Sequence, residues 1–207
     1  MDKPIGAGMS SFELIDPALL FSKLKLREGM VFVDLACGKG LYAIAVAEAI
    51  GEKGWVYAID LWEEGIAHLQ KEISARGLKN IKAMVADVSK KIPLDDKQVD
   101  LCLMATVLHD LVQIKAHEGV LREVRRVLNP EGILAIIEFK KIDGPPGPPL
   151  HIRLSPGEVE RMLNAYGFKK KWTHQVGPYN YLMAFFSKET LKRISCINYG
   201  ADLNIRI

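Results

Sequence analysis

The stretch that most constrains how this chain folds runs from Val31 to Leu41, where an apolar segment meets a glycine-containing turn. A buried strand is predicted from Met30 to Leu35, because the residues from Val31 on are rich in β-branched and aromatic side chains. From Leu41 to Ile50, apolar residues recur at helical spacing. Gly38 and Gly40 lie between the two segments, and glycine both tolerates positive φ and lets a ligand approach the backbone. The stretch therefore predicts a strand, a turn and a helix N-terminus that together offer backbone N–H groups to a ligand.

The residues of this turn argue against a phosphate ligand. Asp34 ends the predicted strand, where its carboxylate would repel a phosphate and attract an ammonium group. The dinucleotide fingerprint G-x-G-x-x-G is not completed after Gly40, and the spacing and hydroxyl of a Walker A loop are missing. We therefore expect a ligand that carries a positive charge close to the turn.

The segment Asp-Leu-Ala-Cys-Gly-Lys-Gly, residues 34–40, resembles motif I of the class I S-adenosylmethionine-dependent methyltransferases, which usually reads D-x-G-x-G-x-G. Ala36 replaces the first glycine, so we expect a negative φ there. The resemblance implies S-adenosyl-L-methionine as the cofactor and S-adenosyl-L-homocysteine as the product. The alternative is a glycine-containing turn that binds nothing. The cofactor-binding residues implied in this turn are Asp34, Ala36, Cys37, Gly38 and Gly40.

Asp60 ends the next predicted strand, Trp55 to Asp60, and lies twenty residues beyond Gly40. In a βαβ unit this places it beside the first turn, where a carboxylate can accept both hydrogens of a ribose diol. We expect it to bind the ribose, with Leu61 next to it. The alternative is an N-cap for the following helix, predicted from Glu63 to Ala75.

Asp87 follows a third predicted strand, Ile81 to Ala86. Its place after the strand resembles the methyltransferase position that accepts from the adenine amino group, with Val88 beside it. An ordinary cap or loop aspartate is an equal alternative on sequence alone. The same resemblance places Ala105, at the end of a fourth predicted strand from Val99, along the methionine end of the cofactor.

His109 follows that fourth strand in a Val-Leu-His segment, which resembles the ubiquinone/menaquinone-biosynthesis-like small-molecule branch of the family. The Asn/Asp-Pro-Pro-Tyr/Phe segment of enzymes that methylate base nitrogens of nucleic acids does not occur here. His109 is a candidate general base near neutral pH and a candidate substrate contact. It can equally bind the methionine end of the cofactor or cap the next helix.

The rest of the pattern predicts an α/β fold. A helix is expected from Gln113 to Leu128, terminated by residues 129–132, followed by an apolar central strand from Ile133 to Phe139. A helix then starts at Ser155, and the last two strands flank a Gly-Pro turn, so they must be antiparallel. With the resemblance, this predicts a three-layer, Rossmann-like sheet of seven strands in the order 3-2-1-4-5-7-6, with strand 7, Tyr179 to Ser187, antiparallel.

A loop rich in proline and glycine, Lys140 to Leu154, leaves the carboxyl edge of the sheet, where ligands bind in open α/β folds. We expect it to wall an acceptor pocket, with His151 and Arg153 reaching in and Arg153 favouring an anionic acceptor; a plain surface linker is the alternative. Tyr179 and Tyr181 are further candidate acceptor contacts, although packing is the commoner role for tyrosines.

The length of 207 residues fits one domain, which we place at residues 1–187 with an N-terminal helical cap at 1–29. The predicted helix of that cap runs from Phe12 to Leu26, with Asp16 and Pro17 as cap and first-turn residues. Residues 188–207 form a C-terminal tail of undecided role.

The net charge of +3 comes without a long block of like charges, so we do not expect a nucleic acid partner. Three cysteines lack metal-site spacing, and no metal is expected. No apolar run reaches membrane-spanning length and no signal peptide is evident, which gives a cytoplasmic location by default. A homodimer is left open.

These patterns together predict an S-adenosylmethionine-dependent methyltransferase that acts on a small-molecule acceptor by direct methyl transfer. The alternatives are a protein or RNA methyltransferase, and a protein that binds the cofactor without turnover. The sequence does not indicate the acceptor atom.

Overall fold

A seven-stranded sheet runs through the structure, a computed structural model that describes residues 8–187. Its spatial strand order is 3-2-1-4-5-7-6, and strand 7 is antiparallel to both of its neighbours while the other pairs are parallel. The predicted fold class is therefore confirmed. In chain order the strands are β1 (Val31–Leu35), β2 (Trp55–Asp60), β3 (Ile81–Val85), β4 (Val99–Ala105), β5 (Leu128–Phe139), β6 (Phe168–Gln175) and β7 (Asn180–Ser187).

Helices cover both faces of the sheet and complete the three predicted layers. The buried side chains of the first three pack on one face, and those of the last three pack on the other. Apolar faces at helical spacing thus meet a sheet that is buried on both sides, as parallel strands require. The α-helices of the described residues are α1 (Pro17–Leu24), α2 (Leu41–Ile50), α3 (Glu63–Arg76), α4 (Leu108–Gln113), α5 (His117–Val127) and α6 (Pro156–Ala165).

The N-terminal helix is shorter than the predicted span. Phe12–Leu14 forms a 3-10 turn, the backbone at Ile15 is extended, and only then does α1 begin. Asp16 caps α1 by accepting from the N–H of Leu19 at 3.0 Å, and Pro17 occupies its first turn, as expected. Asp16 also donates its own N–H to the carbonyl of Val176, which ties this segment to the turn before β7.

The single helix predicted from Gln113 to Leu128 is two helices. Lys115 adopts a left-handed φ of 57° between α4 and α5, and a helix cannot continue through it. At Leu128 the chain is already extended and pairs with Val99, so β5 begins before the predicted Ile133. The proline of the 129–132 segment lacks an N–H and disfavours helix in the residue before it, which explains the early extension.

The parallel strands β1 to β5 all end at one edge of the sheet, and β7 begins there, since Phe139 pairs with Asn180. The carboxyl edge is where the sequence motifs of interest come together. Within residues 8–187, no helix is both long and apolar enough to cross a membrane. The predicted tail, 188–207, lies outside the described residues, and the domain division stays a prediction.

Candidate active site

The turn between β1 and α2 holds three residues in left-handed backbone: Ala36 at φ 55°, Gly38 at 57° and Gly40 at 74°. The negative φ expected at Ala36 is therefore wrong, because the turn requires left-handed backbone even where the glycine is replaced. A Cβ on Gly38 would meet no atom within 4 Å, whereas one on Gly40 would lie 2.5 Å from the side chain of Leu69. Gly40 thus lets α3 pack against the turn, and Gly38 borders open space.

Asp34 is the buried acid at the end of β1, with 1% of its surface exposed. Its Oδ2 atom is buried and has no hydrogen-bond donor among residues 8–187. Burial, joined by the charge of Asp60, raises the pKa of Asp34 to about 8, while the N–H of Ala43 acts in the opposite direction. A buried carboxylate oxygen without a donor is suited to a cationic donor group. This position therefore fits the ammonium group that the motif I resemblance implies.

Asp60 joins the turn to the end of β2. Its Oδ2 accepts from the N–H of Gly38 and its Oδ1 from the N–H of Trp62, both at 2.7 Å. Trp62 itself is the N-cap of α3, so Asp60 is not the cap residue that the alternative required. Each carboxylate oxygen keeps lone pairs for further donors, as a ribose diol would need. Leu61 beside it is 43% exposed, an apolar surface next to the turn.

Asp87 lies two residues after β3, in a local turn. Its Oδ1 accepts from the N–H and the hydroxyl of Ser89, and Lys90 approaches its Oδ2 at 2.9 Å. Partial burial works against the charged carboxyl, but the bonds from Ser89 and Lys90 outweigh it and lower the pKa of Asp87. Val88 is buried beside it. The turn-forming role of Asp87 is thus visible in the structure, and its contact with adenine stays a prediction.

Three hydroxyls that the sequence analysis missed fasten the N-terminal segment to this edge. The hydroxyl of Ser11 lies 2.9 Å from that of Tyr42, at the start of α2, and 3.2 Å from that of Thr106, just after β4. Thr106 has a left-handed φ of 52°, next to the expected cofactor neighbour Ala105. No local motif marks these residues, because the contacts join positions far apart in sequence. The N-terminal segment therefore lies against the motif I helix and the end of β4.

His109 forms a buried pair with Glu138, a residue that the sequence analysis also missed. The Nδ1 atom of His109 lies 2.7 Å from Oε2 of Glu138, and the N–H of His109 donates to Oε1 of the same carboxyl at 3.1 Å. Glu138 is fully buried and His109 is 4% exposed. A charged residue in an otherwise apolar strand is the signal that could have revealed the pair, because a buried carboxyl needs a partner.

The groups around this pair change the pKa of His109. Burial acts to lower the pKa of His109, but the hydrogen bond and charge of Glu138 and the charge of Asp110 outweigh it, and the pKa is raised. Arg153 opposes that increase. Burial has the opposite effect on the neighbouring acid and raises the pKa of Asp110. The Oδ1 atom of Asp110 lies 3.6 Å from Nε2 of His109. The geometry suits the general-base role predicted for His109, because an imidazole held at Nδ1 has its second nitrogen, Nε2, outside that hydrogen bond.

The loop after β5 is held together by Arg153, and the expected contact of this residue with an anionic acceptor is corrected. Arg153 is 2% exposed, and its guanidinium donates to five backbone carbonyls. A guanidinium has five N–H groups, so none is left for a ligand. The carbonyls belong to Lys140, Ile142, Gly144, Pro146 and Pro148.

That loop is nevertheless packed close to His109. A Cβ on Gly147 would lie 2.7 Å from the ring of Phe139, and the Phe139 ring centroid lies 6.4 Å from that of His109. His151 is exposed in the same loop. The 140–154 loop, predicted to wall the acceptor pocket, therefore packs on Phe139, whose ring is next to that of His109. Arg153 holds the loop together from inside.

The two candidate tyrosines differ in exposure. Tyr181 is buried, and its hydroxyl donates to the carbonyl of Leu154 at 2.6 Å, so it serves packing and holds the end of the loop. Tyr179 is half-buried at the start of the hairpin strand, and its carbonyl accepts from the N–H of Lys140. An acceptor contact of Tyr179 stays a prediction, whereas Tyr181 has a structural role.

An acidic first turn combined with a reversed last strand separates the class I methyltransferase fold from the all-parallel sheets of dinucleotide dehydrogenases. In this chain the acid, Asp34, is buried with its Oδ2 atom lacking a donor among residues 8–187, and β7 is the reversed strand. The fold and the site thus define the class of the protein as a Rossmann-like methyltransferase.

Comparison with known proteins gives the family. The sequence profile of the family described as "Methyltransferase domain" matches residues 26–185, so the chain belongs to this family. A solved structure of a SAM-dependent methyltransferase from Aquifex aeolicus is similar, with a TM-score of 0.79 and 34% identity over 86% of this chain and 92% of that chain. Family and fold therefore imply S-adenosylmethionine as the cofactor and S-adenosylhomocysteine as the product.

Curated relatives add names of substrates. A demethylmenaquinone methyltransferase of Geobacillus stearothermophilus is 30% identical over 116 residues, which is 56% of this chain and 48% of that protein. A 2-phytyl-1,4-naphtoquinone methyltransferase of Nostoc punctiforme is 31% identical over 123 residues, 58% of this chain and 50% of that protein. The chain thus spans about half the length of the curated relatives it matches.

Proposed function

We propose that this protein catalyses S-adenosylmethionine-dependent methyl transfer to a small-molecule acceptor. The observation that carries the proposal is the buried Oδ2 of Asp34, which has no partner in the part of the chain that the structure describes, beside the open backbone at Gly38. An ionised carboxylate in that position is costly unless a cation or a strong donor meets it. The ammonium group of the cofactor is such a partner, whereas a phosphate would be repelled.

The residues proposed to hold the cofactor lie along one edge of the sheet. Asp34 and the backbone of Gly38 would meet its amino-acid end, Asp60 its ribose, and Asp87 its adenine. The remaining proposed neighbours are Ala36, Cys37, Gly40, Leu61, Val88 and Ala105. When bound, the cofactor supplies a methyl group on a sulfonium that departs as a neutral thioether. The chain therefore has to orient the acceptor and exclude water rather than stabilise a charged leaving group.

The acceptor that we propose is an aromatic molecule of the quinone type, by analogy with the substrates named for the relatives in Geobacillus and Nostoc. The Phe139 ring and the proline-rich loop packed on it offer an apolar wall close to His109, which suits a flat apolar ring. His109 stays the candidate base, and Tyr179 and His151 stay candidate contacts at the rim. A cytoplasmic location and the lack of nucleic acid contacts also stay predictions, and a homodimer stays open.

Transfer of a labelled methyl group tests this proposal. The purified chain would be incubated with methyl-labelled S-adenosylmethionine and, in separate reactions, with a reduced 2-substituted 1,4-naphthoquinone, with RNA and with a protein extract. We expect label in the organic-extractable small molecule only. Label in RNA or protein would contradict the small-molecule assignment. Saturable cofactor binding without transfer to any fraction would favour the non-catalytic alternative.

Asp95→Ala, on an exposed loop, is a matched control for Asp34→Ala in the same assay. We expect the control to transfer label at the rate of the unmodified chain. We expect Asp34→Ala to lose transfer together with binding of S-adenosylhomocysteine. Equal activity of the two variants would remove Asp34 from the site.

A further inference from the structure

We propose that Glu138 is a positioning residue that sets His109 to accept a proton from an ionisable hydroxyl of the acceptor. The proposal rests on the proposed function, since it concerns the acceptor side of the same site. It starts from the double contact of one carboxyl with one histidine, through the ring and through the backbone N–H.

The contact fixes the tautomer of the imidazole. An ionised Glu138 can only accept hydrogen bonds, so the hydrogen of a neutral His109 ring lies on Nδ1, 2.7 Å from Oε2. The lone pair is then on Nε2, which makes no hydrogen bond within the described part of the chain and has Oδ1 of Asp110 3.6 Å away. A carboxylate that holds a histidine in this way also makes it more basic and stabilises the imidazolium.

The second contact fixes the position of the ring. His109 is the second residue of α4, and Val107, the N-cap, offers no side-chain cap to this helix. Oε1 of Glu138 accepts from the N–H of His109 at 3.1 Å and so replaces the missing cap. One buried carboxyl on β5 therefore orients both the helix start and the imidazole. Because β4 and β5 pair in parallel, this places His109 at the carboxyl edge beside Ala105.

The charged groups around the ring make it more basic than an ordinary imidazole. Glu138 faces it from β5, Asp110 from its own helix, and Arg153 from the loop, where it opposes the two acids. The balance raises the pKa of His109, so the neutral ring becomes more abundant as the pH rises through that value. Proton acceptance should therefore increase with pH across this range.

The proton step defines the class of acceptor. The O–H bond of the acceptor breaks, its proton passes to Nε2 of His109, and its electron pair stays on the acceptor, which becomes a phenolate-type nucleophile. Glu138 compensates the imidazolium that forms, and the proton later returns to solvent. A phenol or hydroquinone needs this base, whereas an unprotonated amine attacks without one.

Histidine-selective ¹⁵N NMR of the whole chain tests the tautomer without any turnover. We expect the His109 ring to carry its proton on Nδ1, and to titrate above the ordinary pKa of about 6.5. A ring protonated on Nε2 would overturn the proposal even if no variant can be prepared. In Glu138→Gln we expect the preference for Nδ1 to be lost and the titration midpoint to move down.

Kinetics with a reduced 2-substituted 1,4-naphthoquinone then separate positioning from structure. Glu138→Gln should lower kcat about 100-fold or more, with KM and S-adenosylhomocysteine binding nearly unchanged, and Glu138→Asp should recover part of the loss. Glu123→Gln is the matched control, because Glu123 likewise accepts a backbone N–H, from Ile92, without touching a histidine. We expect it to retain full kcat.

Two results would overturn the proposal: a kcat of Glu138→Gln within threefold of the unmodified chain, or a parallel loss of cofactor binding and of folding that Glu138→Asp does not repair. Failure of the proposed function would look different, since the unmodified chain would then bind no S-adenosylhomocysteine at all while its His109 tautomer is unaffected.

Discussion

Replacing Asp34 with asparagine should stabilise the cofactor-free protein at alkaline pH while it weakens cofactor binding. The carboxyl is buried beside Asp60, and its Oδ2 has no donor in the described residues. Burial first, and then the charge of Asp60, raise the pKa of Asp34 from 3.8 to about 8. The folded chain therefore holds this proton over a pH range in which the unfolded chain has lost it.

The sign and the size of the effect follow from this difference. Between pH 4 and pH 8 the folded state binds more protons at Asp34, so the free energy of unfolding falls as the pH rises. At about 1.4 kcal/mol for each tenfold change in proton affinity, ionising Asp34 costs the folded state up to ~5 kcal/mol. An asparagine avoids this cost but buries an amide without a full set of partners, at about 1–3 kcal/mol. We expect a net gain of about 2–4 kcal/mol at pH 8.

Urea unfolding at a series of pH values measures this prediction. The unmodified chain should lose stability between pH 4 and pH 8, and Asp34→Asn should lose much less over the same range. At pH 4 the variant should be the less stable protein by roughly 0.5–2.5 kcal/mol, because little of the ionisation cost of Asp34 has yet appeared and the buried amide still lacks partners. Parallel pH profiles for the two chains, or a less stable variant at pH 8, would refute the reasoning.

Three further substitutions test other parts of the account. Asp60→Ala should weaken S-adenosylhomocysteine binding by about 1–3 kcal/mol in calorimetry through loss of charge-assisted bonds, while Asp95→Ala should not; equal affinities would remove Asp60 from the site. Ala36→Gly should stabilise the fold by roughly 0.5–1 kcal/mol, because it relieves left-handed strain, and destabilisation in thermal unfolding would mean that Ala36 has negative φ. Arg153→Lys should lower the free energy of unfolding by about 2–3 kcal/mol and speed proteolysis within residues 140–149, because an ammonium cannot reach five carbonyls. A variant of equal stability with an intact loop would contradict the role of Arg153 as the internal support.

The parallel part of the sheet, its reversed last strand and the edge with Asp34 and Asp60 were accessible from local signals, whereas the full strand order came from the family resemblance. Alternating strand and helix patterns predict the parallel part, and the short Gly-Pro connection forces the reversal of β7. Asp34 and Asp60 come to one edge simply because parallel strands end together, and the structure places them there. The Asp16 and Ser155 caps were likewise visible as short patterns.

The parts that the sequence could not reveal depend on contacts between distant residues. Glu138 and His109 are on different elements, so the charged residue in the apolar run 133–139 signals that a partner is needed but does not indicate which residue it is. The five carbonyls around Arg153 are brought together only by the folded loop, so the residue looked like an anion ligand. The φ of Ala36 is set by the turn rather than by its own preference, and this context overrode the expected negative value.

Calorimetry of S-adenosylhomocysteine binding at pH 7, in buffers of different ionisation enthalpy, tests the central claim most directly. If the nucleoside places its ammonium group on Asp34, the carboxyl must give up the proton that it holds in the free protein, because its pKa there is about 8. We predict the release of close to one proton per molecule bound, and none in Asp34→Asn. Binding without proton release, or no heat with this nucleoside but clear binding of a phosphate-bearing one, would contradict the account.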